Sequence, residues 1–165
     1  MATLRVRTSI EMRSKHALAQ HGVNTTEVRA LIRSAIEYGI EHKAYGLQGE
    51  RFELALLVAD DTALATLNYR FARKNSPTNV LAFPAAEYSD TERHYLGDIA
   101  ISLETVEREA VLYGKTVRDR FMHMVAHGVL HLMGYDHITE QEREEMEQAE
   151  EDVLTPFAVL NIYNA

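Results

Sequence analysis

Apolar and polar positions alternate with a period of two from Leu4 to Ser9, with Leu4, Val6 and Thr8 on one side and Arg5, Arg7 and Ser9 on the other. That is the pattern of a strand with one buried face. Further on the period lengthens. Asn24 with Glu27 three residues later marks a helix start, and Val28, Leu31, Ile32, Ala35, Ile36 and Ile40 then form one amphipathic stripe. Phe52 to Ala59 is a short apolar run with branched side chains, which predicts a buried strand. Asp60-Asp61 is placed to cap a helix from about Thr62 to Arg73, which Asn75-Ser76-Pro77 breaks.

Two more strands are expected, Asn79 to Phe83 and Leu96 to Ser102, joined by a polar loop from Glu87 to His94 that is long enough to be mobile. Three helices follow. Leu103 to Tyr113 stops at Gly114. Thr116, with Asp119 three residues on, opens a helix that runs to Met133 and ends at Gly134. Thr139, with Glu142 three residues on, opens a last helix that Pro156 ends. This order predicts one α+β domain over residues 1–165, a small four-stranded mixed sheet packed with about five helices. Neither a repeat nor a linker interrupts it.

Composition narrows the chemistry. With 165 residues, 46% hydrophobic and 25% charged, the chain has ordinary globular proportions. There are no cysteines, which excludes disulfides, thiolate zinc sites and cysteine nucleophiles, so any metal must use His, Asp or Glu. The longest unbroken apolar run, Leu54 to Ala59, is too short to span a bilayer, and the basic N-terminus lacks the apolar core of a secretory signal. A cytoplasmic protein with no membrane partner is expected.

The formal net charge of −8 argues at first against a phosphate-rich partner. Its distribution reverses that argument. Thr139 to Asp152 holds eight acids and one base, a local charge of −7, which leaves −1 for the rest of the chain. Thr62 to Ala86 holds Arg70, Arg73 and Lys74 and no acid. A basic stretch and an acidic helix therefore lie apart in the sequence.

Four of the eight histidines, His123, His127, His131 and His137, fall within 15 residues. Residues four apart on a helix share a face, so His127 and His131 project together one turn apart. Gly134 lets the chain reverse and bring His137 back to the same side. Three neutral imidazoles with one open position are the arrangement of a catalytic zinc site, whose ion lowers the pKa of bound water to about 7. One Zn2+ per chain is expected, at the end of the helix in the C-terminal third. His123 shares the face one turn earlier and is expected to support the site rather than ligate. Asp136 either orients an imidazole or serves the turn. The helical peptidase pattern His-Glu-x-x-His is not met, because Gly128 stands where the general base would be.

The stretch from His127 to His137 closely resembles the metal signature of the YbeY endoribonucleases, zinc-dependent enzymes specific for single-stranded RNA. The resemblance continues through Leu67-Asn68, Pro77-Thr78-Asn79-Val80-Leu81-Ala82-Phe83-Pro84, Leu96-Gly97-Asp98-Ile99, Met146 and Glu150, and so covers most of the chain from about Phe52 onward. It implies that His127, His131 and His137 hold one zinc. It also implies a role in small-subunit ribosomal RNA 3′-end maturation and ribosome quality control, with ribosomal RNA and the ribosome or its associated proteins as partners and no DNA. The family usually carries an arginine where this chain has Ala72, just after the aromatic Phe71. Arg73 and Arg70 are the neighbours placed to supply that guanidinium, which would stabilise charge on the phosphoryl group.

Two other readings stand beside this one: a zinc peptidase or amidase, and a non-enzymatic ribosome assembly factor with a structural zinc. In the endoribonuclease reading RNA lies along Arg70 to Lys74, and the acidic helix faces away or holds a basic ribosomal partner.

Overall fold

The computed structural model describes residues 4–44, 51–72, 79–85 and 93–163. Four strands and five α-helices follow in the order β1 (Arg5–Met12), α1 (Thr25–His42), β2 (Arg51–Ala59), α2 (Asp61–Ala72), β3 (Val80–Pro84), β4 (Arg93–Ser102), α3 (Leu103–Tyr113), α4 (Val117–Leu132) and α5 (Glu140–Leu154). Short 3-10 turns at Leu18–His21 and Thr155–Phe157 lie outside the expected elements. The strands form one mixed sheet in the order β1-β2-β4-β3. β1 and β4 both run parallel to β2, and β3 runs antiparallel to β4 along the edge. This is the α+β architecture with five helices that the sequence predicts.

The helix starts are set by local chemistry. The side chain of Asn24 accepts from Glu27 N, Thr116 from Asp119 N and Thr139 from Glu142 N, so each satisfies a donor that the first helical turn leaves open. The Asp60-Asp61 pair has a different use. The Asp60 carboxylate accepts from Ser14 Oγ at 2.7 Å and Lys15 N at 3.0 Å, tying down the segment after β1. Asp61 lies within α2 and accepts from Ser102 Oγ, Thr105 Oγ1 and Arg108 at the start of α3.

The main core lies on one face of the sheet. Phe52, Leu54, Leu56 and Val58 of β2 and Leu96, Ile99 and Ile101 of β4 pack there against α1, α4 and α5. α2 covers part of the other face through Leu64, with Ala59, Ala100 and Leu81. The expected loop to His94 ends earlier than the sequence suggests, since Arg93 and His94 already belong to β4. A register shift opposite Glu53/Leu54 inserts Leu96 as an extra residue, so the buried parity changes from His94 and Leu96 to Ile99 and Ile101. A strict period-two pattern cannot cross that bulge. Residues 87–92 of the expected loop, residue 86 before it, and residues 73–78 beyond α2 lie outside the described residues.

Candidate metal centre

α4 packs directly on the sheet, and Gly128 sets how closely. A Cβ at this position would meet Ile99 Cγ2 at 2.9 Å, below ordinary contact. The position points into β4, so a glutamate general base has no room there. The missing peptidase residue thus has a packing cause.

Gly134, with φ of 103°, turns the chain after α4 in a conformation that residues with a side chain rarely adopt. The turn brings His137 back over the end of the helix. One ligating nitrogen from each of His127, His131 and His137 then lies within 4.8 Å of the other two. The ring centroids are 4.6 Å (127–131), 5.0 Å (131–137) and 5.7 Å (127–137) apart. The three histidines singled out by spacing therefore meet at one place.

The hydrogen bonds fix which nitrogens face inward. His127 Nδ1 lies 3.0 Å from a Glu150 oxygen, and an ionised carboxylate only accepts, so that nitrogen carries the proton. His131 Nδ1 donates to the Tyr135 carbonyl at 3.0 Å. Both Nε2 atoms are left as lone-pair donors, and they lie 3.1 Å apart. Four ligands bound at 2.0–2.1 Å around a tetrahedral zinc stand about 3.3–3.4 Å apart, so the pair is already spaced for one ion. Two converging lone pairs with no hydrogen between them repel, and a cation relieves this. Burial first, and then the imidazoles of His127 and His137, hold His131 below its ordinary pKa and favour the neutral, ligating form. The residues fit a zinc ion.

Behind His127 stands a buried polar chain. Glu150 is 1% exposed and accepts from His127, from His123 Nε2 and from the Tyr163 hydroxyl at 2.5 Å. Burial works to raise its carboxyl, but the bonds from His123 and His127 outweigh burial and bring it down to about 2. His123 Nδ1 in turn accepts from Arg120, which also donates to Glu109 at 2.7 Å. Glu109 accepts from Asn79 Nδ2 at 2.9 Å. His123 is thus two hydrogen bonds removed from a ligand, with Glu150 between them, and is held between Arg120 and Glu150. Asp136 serves the turn, accepting from His137 N at 2.8 Å.

Sequence reasoning gave Glu150 no role of its own, because it is one of eight acids in a run. The signal was its place on the buried stripe of α5 with Met146, Ala149 and Val153. The acidic helix therefore does not wholly face away, since one of its carboxylates reaches the centre.

The histidines open onto a cleft of about 510 Å3, walled on the other side by Asn79, Val80, Leu81, Ala82 and Pro84 at β3. As an edge strand, β3 leaves backbone groups unpaired within the sheet on its outer side. Arg70 does not line this cleft. It is exposed, with its guanidinium 6.0 Å over the Phe71 ring. Arg73 lies outside the described residues.

Comparison with known proteins places the chain in a family. The family model described as Endoribonuclease YbeY matches residues 13–158. The Endoribonuclease YbeY of Chelativorans sp. (strain BNC1) is 42% identical over 137 residues, covering 81% of this chain and 83% of that protein. That of Parvibaculum lavamentivorans is 34% identical over 170 aligned positions, covering 98% and 90%. The solution structure of TM1509 from Thermotoga maritima shares the fold, with a TM-score of 0.57 at 19% identity over 94% of this chain and 96% of that one. With its histidine signature assembled around one point and most of its length matched, the chain belongs to the YbeY endoribonuclease family.

Proposed function

We propose that the protein is a zinc-dependent endoribonuclease that cleaves single-stranded RNA, acting in the cytoplasm on ribosomal RNA in small-subunit 3′-end maturation and ribosome quality control. The observation that carries the reading is the convergence of the His127 and His131 Nε2 lone pairs with His137 on an open cleft, each of the first two rings tied by its other nitrogen. Family membership supports RNA as the substrate. No helix among the described residues is long and apolar enough to cross a membrane.

His127, His131 and His137 would hold one Zn2+, which supplies Lewis acidity toward the phosphodiester and activates water at neutral pH. The chain's own groups do the rest. Glu150 and the Tyr135 carbonyl fix two of the rings in the ligating tautomer. The outer edge of β3 lies alongside the strand in the cleft. Arg73 or Arg70 stabilises the charge that builds on the phosphoryl oxygens. The packing of Gly128 on Ile99 argues against a peptidase of the His-Glu-x-x-His kind.

The test is cleavage of single-stranded RNA and of casein by zinc-loaded wild type, His131→Ala, Arg73→Ala and Arg70→Ala, each with its metal content and circular dichroism measured. RNA alone should be cut, His131→Ala should lose both metal and cleavage while remaining folded, and one arginine variant should lose cleavage while keeping its metal. Unimpaired RNA cleavage by His131→Ala would sink the mechanism. Unfolding of that variant would assign the metal a structural role.

A further inference from the structure

The C-terminal end of α2, on the sheet face opposite α4, carries two exposed aromatic rings. Tyr69 is 52% and Phe71 63% exposed. Phe71 rests against Phe83 of β3, with centroids 5.0 Å apart and planes tilted by 54°, and the Arg70 guanidinium lies over the same ring. Single exposed aromatic residues are common on protein surfaces and carry little meaning. This ring differs in three ways. It is held in place by a second ring. It is flanked by a cation, within a stretch from Thr62 to Ala86 that contains no acid. Its partner Phe83 sits on β3, whose Asn79 to Ala82 and Pro84 wall the histidine cleft. The side chains of β3 alternate between the faces, with Val80 and Ala82 on the α4 side and Leu81 on the α2 side. A chain crossing this edge strand passes from the histidines to the ring pair.

We propose that Phe71 and Phe83, with Arg70 beside them, form a stacking subsite for an unpaired nucleobase of the RNA strand held in the histidine cleft. The proposal rests on the endoribonuclease reading and adds to it where the strand goes. Single-stranded nucleic acid is held without strong sequence preference by aromatic faces for its bases and cations for its backbone, and this surface supplies both. Asp98 stands opposite Phe83 on β4 and accepts from the Tyr95 hydroxyl. Its carboxylate repels a phosphate and can accept from the exocyclic amine of a base, so the base turns toward the sheet and the backbone toward Arg70. Stacking of this kind also accounts for a preference for single strands, because a base inside a duplex has no free face to offer.

The subsite is tested by fluorescence anisotropy with a short, 5′-labelled single-stranded RNA, using chelator-treated wild type, Phe71→Ala, Phe71→Trp and Arg70→Ala. Zinc-loaded cleavage of the same RNA is measured alongside. Phe71→Ala should weaken binding about ten-fold or more and raise KM with kcat little changed, while its melting temperature and zinc content stay those of wild type. Phe71→Trp should bind within about two-fold of wild type, with its indole emission quenched by RNA, a signal that a purely structural ring would not give. Arg70→Ala should lower the slope of log Kd against log salt by about 0.7. Wild-type affinity in Phe71→Ala, or an unquenched indole, overturns the subsite. If wild type still cleaves RNA in that case, the nuclease reading stands without it. A wild type that neither binds nor cleaves RNA overturns both.

Discussion

The two faces that meet at β3 are built in opposite ways. On the α4 side His127 is held by Glu150, Glu150 by His123 and Tyr163, His123 by Arg120, and Arg120 by Glu109. On the α2 side, among the described residues, Phe71 lies against one ring and beneath one guanidinium and is 63% exposed. The difference follows from what each face has to do. Metal ligands are useful only if their lone pairs are aimed, and aiming an imidazole requires a fixed partner on its other nitrogen. A base needs only a flat apolar face with a cation nearby, and too tight an enclosure would make it selective. Substitutions of the metal ligands and their partners should therefore act on metal binding, and substitution of the Phe71 ring on RNA affinity alone.

The contrast can be broken most sharply at His131. His131→Ala should abolish stoichiometric zinc binding in equilibrium dialysis. In the same experiment Phe71→Ala should bind one zinc per chain, and a loss of zinc there would merge the two faces. Glu150→Gln comes next. A neutral amide no longer balances three hydrogen-bond donors, and zinc affinity by competition with a fluorescent chelator should fall about 10–100-fold. An unchanged affinity would mean that the buried chain behind His127 serves the core alone. Gly128→Ala places a methyl group against Ile99 and should cost about 1–3 kcal/mol in urea unfolding, with the zinc ligands intact.

The smallest effect is expected at Asp61, at the opposite end of α2 from Phe71. Burial would raise this carboxyl, but the bonds from Ser102, Thr105 and Arg108 outweigh it and bring it below its ordinary value. A carboxyl lowered on folding adds stability that is fully present above its unfolded value of about 3.9 and is lost as the pH falls through the lower folded value. Asp61→Asn should thus cost about 1–2 kcal/mol at neutral pH. The gap to wild type should narrow below about pH 4, and a gap constant with pH would remove the ionised carboxyl from the account.

Much of this is legible in the sequence wherever the determinant is local. The caps at Asn24, Thr116 and Thr139 are each one side chain and one amide three residues away, and each forms as its spacing implies. The pair His127 and His131 is equally local, and a single glycine turn adds His137. Features that depend on distant partners are not legible. The bulge at Leu96 arises from pairing with β2, so the start of β4 reads as loop. Asp60 looks like a cap until Ser14 and Lys15, far back in the chain, are seen to take its oxygens. Glu150 and Phe71 are picked out in sequence only by the family resemblance, with no contact assigned, and only the fold sets one beneath a ligand and the other against Phe83.

The central claim is that three imidazoles form one open metal site that makes the protein an RNA-cutting enzyme. It is tested most directly by titrating the chelator-stripped protein with zinc while following cleavage of single-stranded RNA. The account predicts no cleavage at the start and a linear rise that levels off at one zinc per chain. Full cleavage by the stripped protein, or one bound zinc with no cleavage, would contradict it.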